Sequence, residues 1–473
     1  MSVRFTTQTL VLFLTLAMAG LGSSRLAHAQ NNNNNNNNNN TNNNNNNNNN
    51  SAGVAGIEVD AQGVLRVRQV DPRLSASRRQ AALQARGNRN VKTSPLRKVS
   101  LNRLEKAVES QLASGKPLAD EMLALAGLTR IEYVFYLPET RDIVIAGPAE
   151  EIIQDLTGRP VGLASGKPTL RLDDVIVALR TFAPDAKNSP LVSCSIDPTA
   201  EGLARMQAYL NSFGGKMGNH SEMEVAAGLR NSLGMQTVTL KGIPDTTHFG
   251  QVLVEADYRM KLIGIGLESP MVPLTSWAQR VNPSAQKSAL QRWFFVADYS
   301  AVKVSPDNTA LKLEGTGVKL VSESEHVRKD GSRESAKKGD KASEGFTTEF
   351  SQKFEKIADS IPVFHEMRNL FDLSVAAAFI QSSDLYAQAD WKAETFSNER
   401  AFRVETVQAP KQVEPAVHPM WRGSTFMAPI GGGVHISTKT ILSKDSRTAD
   451  ATLNQNRGAA APTNIDASQW WWD

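Results

Sequence analysis

Nineteen of the twenty residues from 31 to 50 are asparagine, the exception being Thr41. A tract without apolar side chains has nothing to bury and cannot offset the entropy of ordering its own backbone. Residues 30–50 are therefore read as a disordered, low-complexity spacer, about 25 Å long as a coil. A sharper alternative is an asparagine ladder that promotes assembly. Either way, compact folding is left to the residues that follow.

The residues ahead of the tract have the layout of a secretory signal peptide, 1–29. Arg4 supplies the positive start, residues 10–19 the apolar core, and Ala27 and Ala29 the small side chains a signal peptidase reads before Gln30. That core is shorter than the ~20 residues of a membrane span. The chain is thus expected to be exported to the periplasm or the exterior, with no transmembrane span once processed. Cys194 is its one cysteine. Intrachain disulfides, thiolate zinc sites, iron–sulfur clusters and acylation near the cleavage point are excluded accordingly.

Charge is unevenly placed. The formal net charge is +4, and the signal carries +2 of it. Arg66, Arg68, Arg73, Arg78, Arg79, Arg86, Arg89, Lys92, Arg97 and Lys98 face one acid, Asp71, giving this segment +9 and leaving the rest of the mature chain at −7. Such an arm suits an anionic envelope polymer. The plainer reading is a solvated helix or linker, and it fits the thin apolar stripe. Aromatic residues that stack on bases are absent, so no specific nucleic acid is expected.

Hydrophobic periodicity organises the remainder. Residues 51–99 read as an N-terminal hairpin, with Gly63 at a turn position that wants positive φ, followed by the basic arm. Residues 100–321 read as an α+β core with a candidate divide near 190. In it Ser100 caps a helix, residues 131–137 and 143–146 form a hairpin, and amphipathic helices cover 170–182 and 248–260. Residues 322–345 read as a disordered polar link, 346–430 as a helical pair with short strands, and 431–473 as a polar disordered tail. Three adjacent tryptophans, 470–472, cannot all face one core, which leaves a partner-binding tag as the alternative there. The fold class is α+β: short antiparallel hairpins with packed amphipathic helices, a C-terminal helical pair and long disordered segments.

No complete catalytic motif is present. His365-Glu366 opens like a helical zinc site, but Asn369 stands where the second histidine is needed. Gly166-Lys167 is followed by proline instead of a magnesium-binding hydroxyl, and Gly264-Ile265-Gly266 breaks off at Ser269. Ser284 to Lys287 and Ser335 to Lys338 fit Ser-x-x-Lys, without the companion motifs of penicillin-interacting enzymes. Two candidates remain. His248 and Glu255 lie seven apart on one helix, hence on one face, as an acid–base pair or as a solvated surface. Cys194 is a nucleophile, or a small hydrophobe in a buried strand. No cofactor and no metal are implied.

The stretches GIEVDAQGVLRVR, YVFYLPETRDIVIAGPAEE, TVTLKGIPDTTHFGQVLVEADYRMKLIGIGLE and FTTEFSQKFEKIADSIPVFHEMRNLFDLSVAAAFI together resemble secreted proteins of planctomycete bacteria that carry a domain of unknown function. The likeness covers roughly residues 54–430 and implies an envelope or extracellular setting, with no site residues to carry over. The leading reading is an exported, non-enzymatic structural or binding protein of the bacterial cell envelope, with an anionic envelope polymer or a protein as partner. The alternative is a secreted or periplasmic hydrolase with an acid–base site near His248 and Glu255. N-terminal sequencing of the exported chain is expected to return Gln30 as the first residue.

Overall fold

The computed structural model describes residues 11–13, 56–68, 71–85, 92–186, 190–213, 220–281, 289–327, 333–335, 341–415, 420–425, 430–463, 465–466 and 468–473. The asparagine tract and the cleavage residues Ala27, Ala29 and Gln30 lie outside them. The fold is α+β. Val11–Phe13 pairs antiparallel with Met420–Thr425.

Two large sheets carry the architecture. The first runs Arg333–Ser335, Gly317–Val327, Ala289–Asp298, Ile430–Ile436, Val192–Asp197, Gln236–Lys241, Gln412–Val413, Val64–Val67 and Ile57–Val59. The second runs Arg447–Ala449, Ala301–Val304, Ala310–Glu314, Tyr133–Leu137, Asp142–Glu150, Thr93–Ser100 and Trp471–Trp472. Pairing is mostly antiparallel, but Ala289–Asp298 with Ile430–Ile436 is parallel. Ile430–Ile436 fits between its neighbours because its centre is Gly431-Gly432-Gly433. A Cβ on Gly433 would overlap the Cys194 carbonyl, and Gly432 has φ +130°, which side chains rarely adopt.

Helix Val363–Ser382 sits at the heart of the molecule. Phe364, Met367, Leu370, Phe371, Val375 and Phe379 are each at most 1% exposed, and buried residues occur on every side of the helix. A helix apolar all round is a core element. It packs against helix His248–Gly264, helix Leu172–Thr181 and strand Gly317–Val327. Helices Lys341–Gln352 and Phe354–Ser360 precede it and add Phe346, Phe350 and Phe354 to the same core. Helices Ala200–Ser212 and Glu222–Leu233 form a hairpin between the neighbouring strands Val192–Asp197 and Gln236–Lys241. It holds a small core of its own from Leu203, Met206, Val225, Leu229 and Leu233.

Several boundaries differ from the sequence-based expectations. The N-terminal hairpin forms, with Gly63 at φ +79°, but as the edge of the nine-stranded sheet and not as a separate arm. The basic segment behind it splits into an exposed helix, Pro72–Ala85, and strand Thr93–Ser100 in the other sheet. Gly315 and Gly317 both take positive φ and turn the chain between strands Ala310–Glu314 and Gly317–Val327. Residues 322–327 continue a strand and Lys341–Gln352 is helical, which shortens the polar link at both ends. Residues 328–332 and 336–340 lie outside the described set.

The largest correction is the tail. Residues 431–473 contain strand Ile430–Ile436, helix Thr452–Ala460 and strand Trp471–Trp472. The seven-stranded sheet is apolar on both faces, since Val134, Tyr136, Ile143 and Ile145 join the main core while Phe135, Leu137, Val144 and Ala146 face away from it. Leu453, Ala460 and Trp472 cover that second face. The tryptophans divide their duties. Trp470 is buried in the main core, Trp472 is buried on the far side and donates to the Ala460 carbonyl at 3.0 Å, and Trp471 stacks under Arg97 at 4.3 Å. Replacing Trp472 with Ala removes a buried ring and strands a carbonyl, so Trp472→Ala is expected to cost about 3–5 kcal/mol in denaturant unfolding. Trp471→Ala is expected to cost clearly less.

Candidate functional site

The cluster of interest forms where three distant segments meet the N-terminal half of the central helix. Asp155 folds its own turn by accepting the Thr157 and Arg159 amides at 2.7 and 3.0 Å, which aims the Arg159 side chain inward. Thr247 caps helix His248–Gly264 through the Gly250 amide and starts that helix with His248 facing the core. Asp174 comes from the first turn of helix Leu172–Thr181. Glu366 comes from the first turn of Val363–Ser382.

These side chains form one continuous line of charge. His248 Nδ1 lies 2.9 Å from Asp174, and its Nε2, which has no hydrogen-bond partner, lies 3.8 Å from Glu366. Glu366 accepts from Arg159 Nε at 2.7 Å, and Arg159 Nη2 reaches Glu255 at 3.1 Å. Glu255 also accepts from Arg259 at 2.8 Å, and Arg259 donates onward to Glu268. Burial alone would lower the Arg159 pKa, but Glu366 and Glu255 more than offset it and hold the guanidinium above its ordinary range. Glu255 is raised by burial, with Arg159 and Arg259 opposing. Glu268 is raised by burial against Arg259.

The two ends of this line differ in access. Glu255, Arg159, Arg259 and Glu268 line a cavity of about 500 Å3, whereas His248 and Asp174 do not. The seven-residue spacing does place His248 and Glu255 along one side of the helix, yet they connect only through Glu366 and Arg159. Neither stands on a solvated face: they are 3% and 1% exposed. Among the described residues no hydroxyl or thiol is hydrogen-bonded to His248. Among the same residues no group of three or more His, Cys, Asp or Glu is placed to hold a metal ion. His365, the other half of the failed zinc motif, is tied to Asp359 at 2.8 Å, and burial lowers its pKa.

Cys194 occupies the middle of strand Val192–Asp197 with neighbours on both sides, Leu240 and Val434. Burial pushes its thiol well above the usual range, and nearby Asp257 adds to the shift. Nucleophilic thiols need the opposite shift. Beneath it, Lys261 and Asp257 form a fully buried pair at 3.0 Å, and Lys261 also donates to the Ile196 carbonyl at 2.8 Å.

The cationic residues are scattered. Arg97 is buried against Asp473 at 2.7 Å, and burial lowers the pKa of Lys98. Arg66 is exposed, 3.9 Å from Glu414, and Lys92 is exposed at the start of its strand. Arg73 and Arg78 project from helix Pro72–Ala85, while Arg68 and Arg79 line the 500 Å3 cavity. Arg86 and Arg89 lie outside the described residues. The loop around Gly166-Lys167 does bind an anion, but an internal one. Glu150 accepts the Ala164 and Ser165 amides at 2.8 and 2.9 Å, so a phosphate has no place there.

The Asp257 carboxyl supplies a pH test. Burial raises it to about 6, with Lys261 opposing. An unfolded aspartate releases its proton near pH 4, so between roughly pH 4 and 6 the native state binds more protons and stability falls as pH rises. The stability of wild type relative to Asp257→Asn is expected to drop across that window by up to about 3 kcal/mol in paired denaturation curves. A flat difference overturns this assignment.

Residues 194–277 match the profile of a family described as a protein of unknown function, DUF1598. No curated protein and no solved structure matches the chain. The matched segment holds Cys194, His248, Glu255, Asp257 and Lys261, while Arg159, Asp174 and Glu366 come from outside it. The likeness expected over residues 54–430 is thereby narrowed, and residues 194–277 are a DUF1598 domain of unknown function.

Proposed function

We propose that this chain is an exported, non-enzymatic binding protein of a bacterial cell envelope, of the planctomycete type its sequence resembles. It acts by holding a small polar ligand in the 500 Å3 cavity beside Glu255 and Arg159. One observation carries the choice of binding over turnover. Arg159 is matched by Glu366 and Glu255, and the spare Nε2 of His248 faces Glu366 inside the protein, with neither His248 nor Asp174 lining the cavity. Such a line of paired charges fixes the shape and the potential of a cavity wall.

Export rests on residues 1–29, which carry the signal layout. Among the described residues no helix is long and apolar enough to cross a membrane. The outward Arg73 and Arg78 on helix Pro72–Ala85 suit contact with an anionic envelope polymer. The hydrolase alternative draws on the Asp174–His248 couple, which has the orienter-and-base layout of acyl-transfer enzymes. Among the described residues no hydroxyl or thiol is hydrogen-bonded to His248, and neither member of the couple lines the cavity.

The decisive experiment pairs location with turnover. Cell fractionation is expected to find the processed chain outside the cytoplasm. The purified protein is expected to leave peptide, ester, glycoside and phosphomonoester substrates intact. Turnover that disappears in His248→Asn would overturn the binding reading in favour of the hydrolase.

A further inference from the structure

The cavity has a chemistry of its own that narrows what it can hold; the argument rests on the binding reading above. Its floor is the buried charge line, in which Arg159 and Arg259 are matched by Glu366, Glu255 and Glu268. Its mouth is different. Arg68 and Arg79 both line it, and neither has a carboxylate partner among the described residues. Arg68 is held above Arg259, whose guanidinium donates to the Arg68 carbonyl at 3.4 Å. The Arg79 guanidinium lies across Gly166, where a Cβ would collide with it. These are two fork-shaped donors with unused capacity at the edge of a confined space.

The remaining wall is apolar. Val161, Leu267, Met271, Ile361 and Val363 line the same cavity. Leu267 and Met271 are 48% and 56% exposed, which leaves apolar surface for a ligand to cover. A ligand that covered them would bury apolar surface while its charged end met the guanidiniums. Charge number is limited as well. Asp71, Asp155, Glu255, Glu268 and Asp359 line this cavity, so each further negative charge on a ligand meets carboxylates along with arginines. The volume of about 500 Å3 falls in the range of small-molecule sites.

We propose that the cavity binds a small monocarboxylate with an apolar body, its carboxylate taken by Arg68 and Arg79 at the mouth and its apolar part laid on Leu267, Met271 and Ile361. Helix Pro72–Ala85 contributes Pro72, Ser75 and Arg79 to the site, and none of its residues is buried.

The test is calorimetric titration of the processed chain with 4-phenylbutyrate, its primary amide and inorganic phosphate. Phenylbutyrate is expected to bind saturably and the amide at least about tenfold more weakly, because it forfeits the charge-assisted bonds. Arg68→Gln with Arg79→Gln is expected to weaken phenylbutyrate by a similar factor. Both positions are at least partly exposed, and an unchanged melting temperature of the free protein would show the fold intact. Leu267→Asp should weaken phenylbutyrate while leaving the fold in place. The proposal is overturned by equal affinity for acid and amide, by indifference to the arginine pair, by tighter binding of phosphate, or by no saturable binding at all. Turnover of the probe would instead remove the binding reading itself.

Discussion

A guanidinium withdrawn from water must be surrounded by carboxylates, and Arg159 imposes that requirement on four separate parts of the chain. Its side chain is only 4% exposed, so the cost of an unpaired charge there is several kcal/mol. Glu366 on the central helix and Glu255 on helix His248–Gly264 meet it from two sides. Those helices are therefore fixed relative to each other by charge as well as by apolar packing. His248 extends the same constraint to Asp174 and helix Leu172–Thr181. Arg259 extends it to Glu268 and to the backbone of the N-terminal hairpin. Removing Arg159 takes the paired cation from buried Glu366, whereas Glu255 keeps Arg259.

The central helix obeys a related rule. Its apolar residues make it a core element, but His365, Glu366, Arg368, Asn369 and Asp372 are buried with them. Each charged member finds a partner on a different element: Asp359 for His365, Glu355 for Arg368, Arg130 and Tyr299 for Asp372. Burial in such a place raises the Asp372 carboxyl against the pull of Arg130 and Arg368. The pairs select one packing from among those that a merely oily helix would permit.

Local elements were legible where periodicity and capping agreed. Ser100 caps a helix at the position its hydroxyl suggests, and the hairpin of residues 131–146 and the helix over 248–260 form where their patterns put them. The spacing of His248 and Glu255 correctly put both on one side of a helix. It could not supply Arg159 or Glu366, since those residues lie ninety-six and one hundred and eleven positions from Glu255 and carry no local signature. The tail was misjudged because composition was weighed without asking what covers residues 133–137. Tyr133-Val134-Phe135-Tyr136-Leu137 is apolar at successive positions, so both of its faces demand cover. A polar-looking segment with one leucine, a few alanines and alternate tryptophans is enough to supply it.

The helical hairpin between Val192–Asp197 and Gln236–Lys241 shows how the sheet accommodates elaboration. Those two strands are hydrogen-bonded neighbours, so a turn of a few residues would join them equally well. The thirty-eight residues that intervene return to within one strand spacing of where they left and carry their own apolar centre. An excursion with its own apolar centre can be lengthened or shortened without rewriting the strands beneath it.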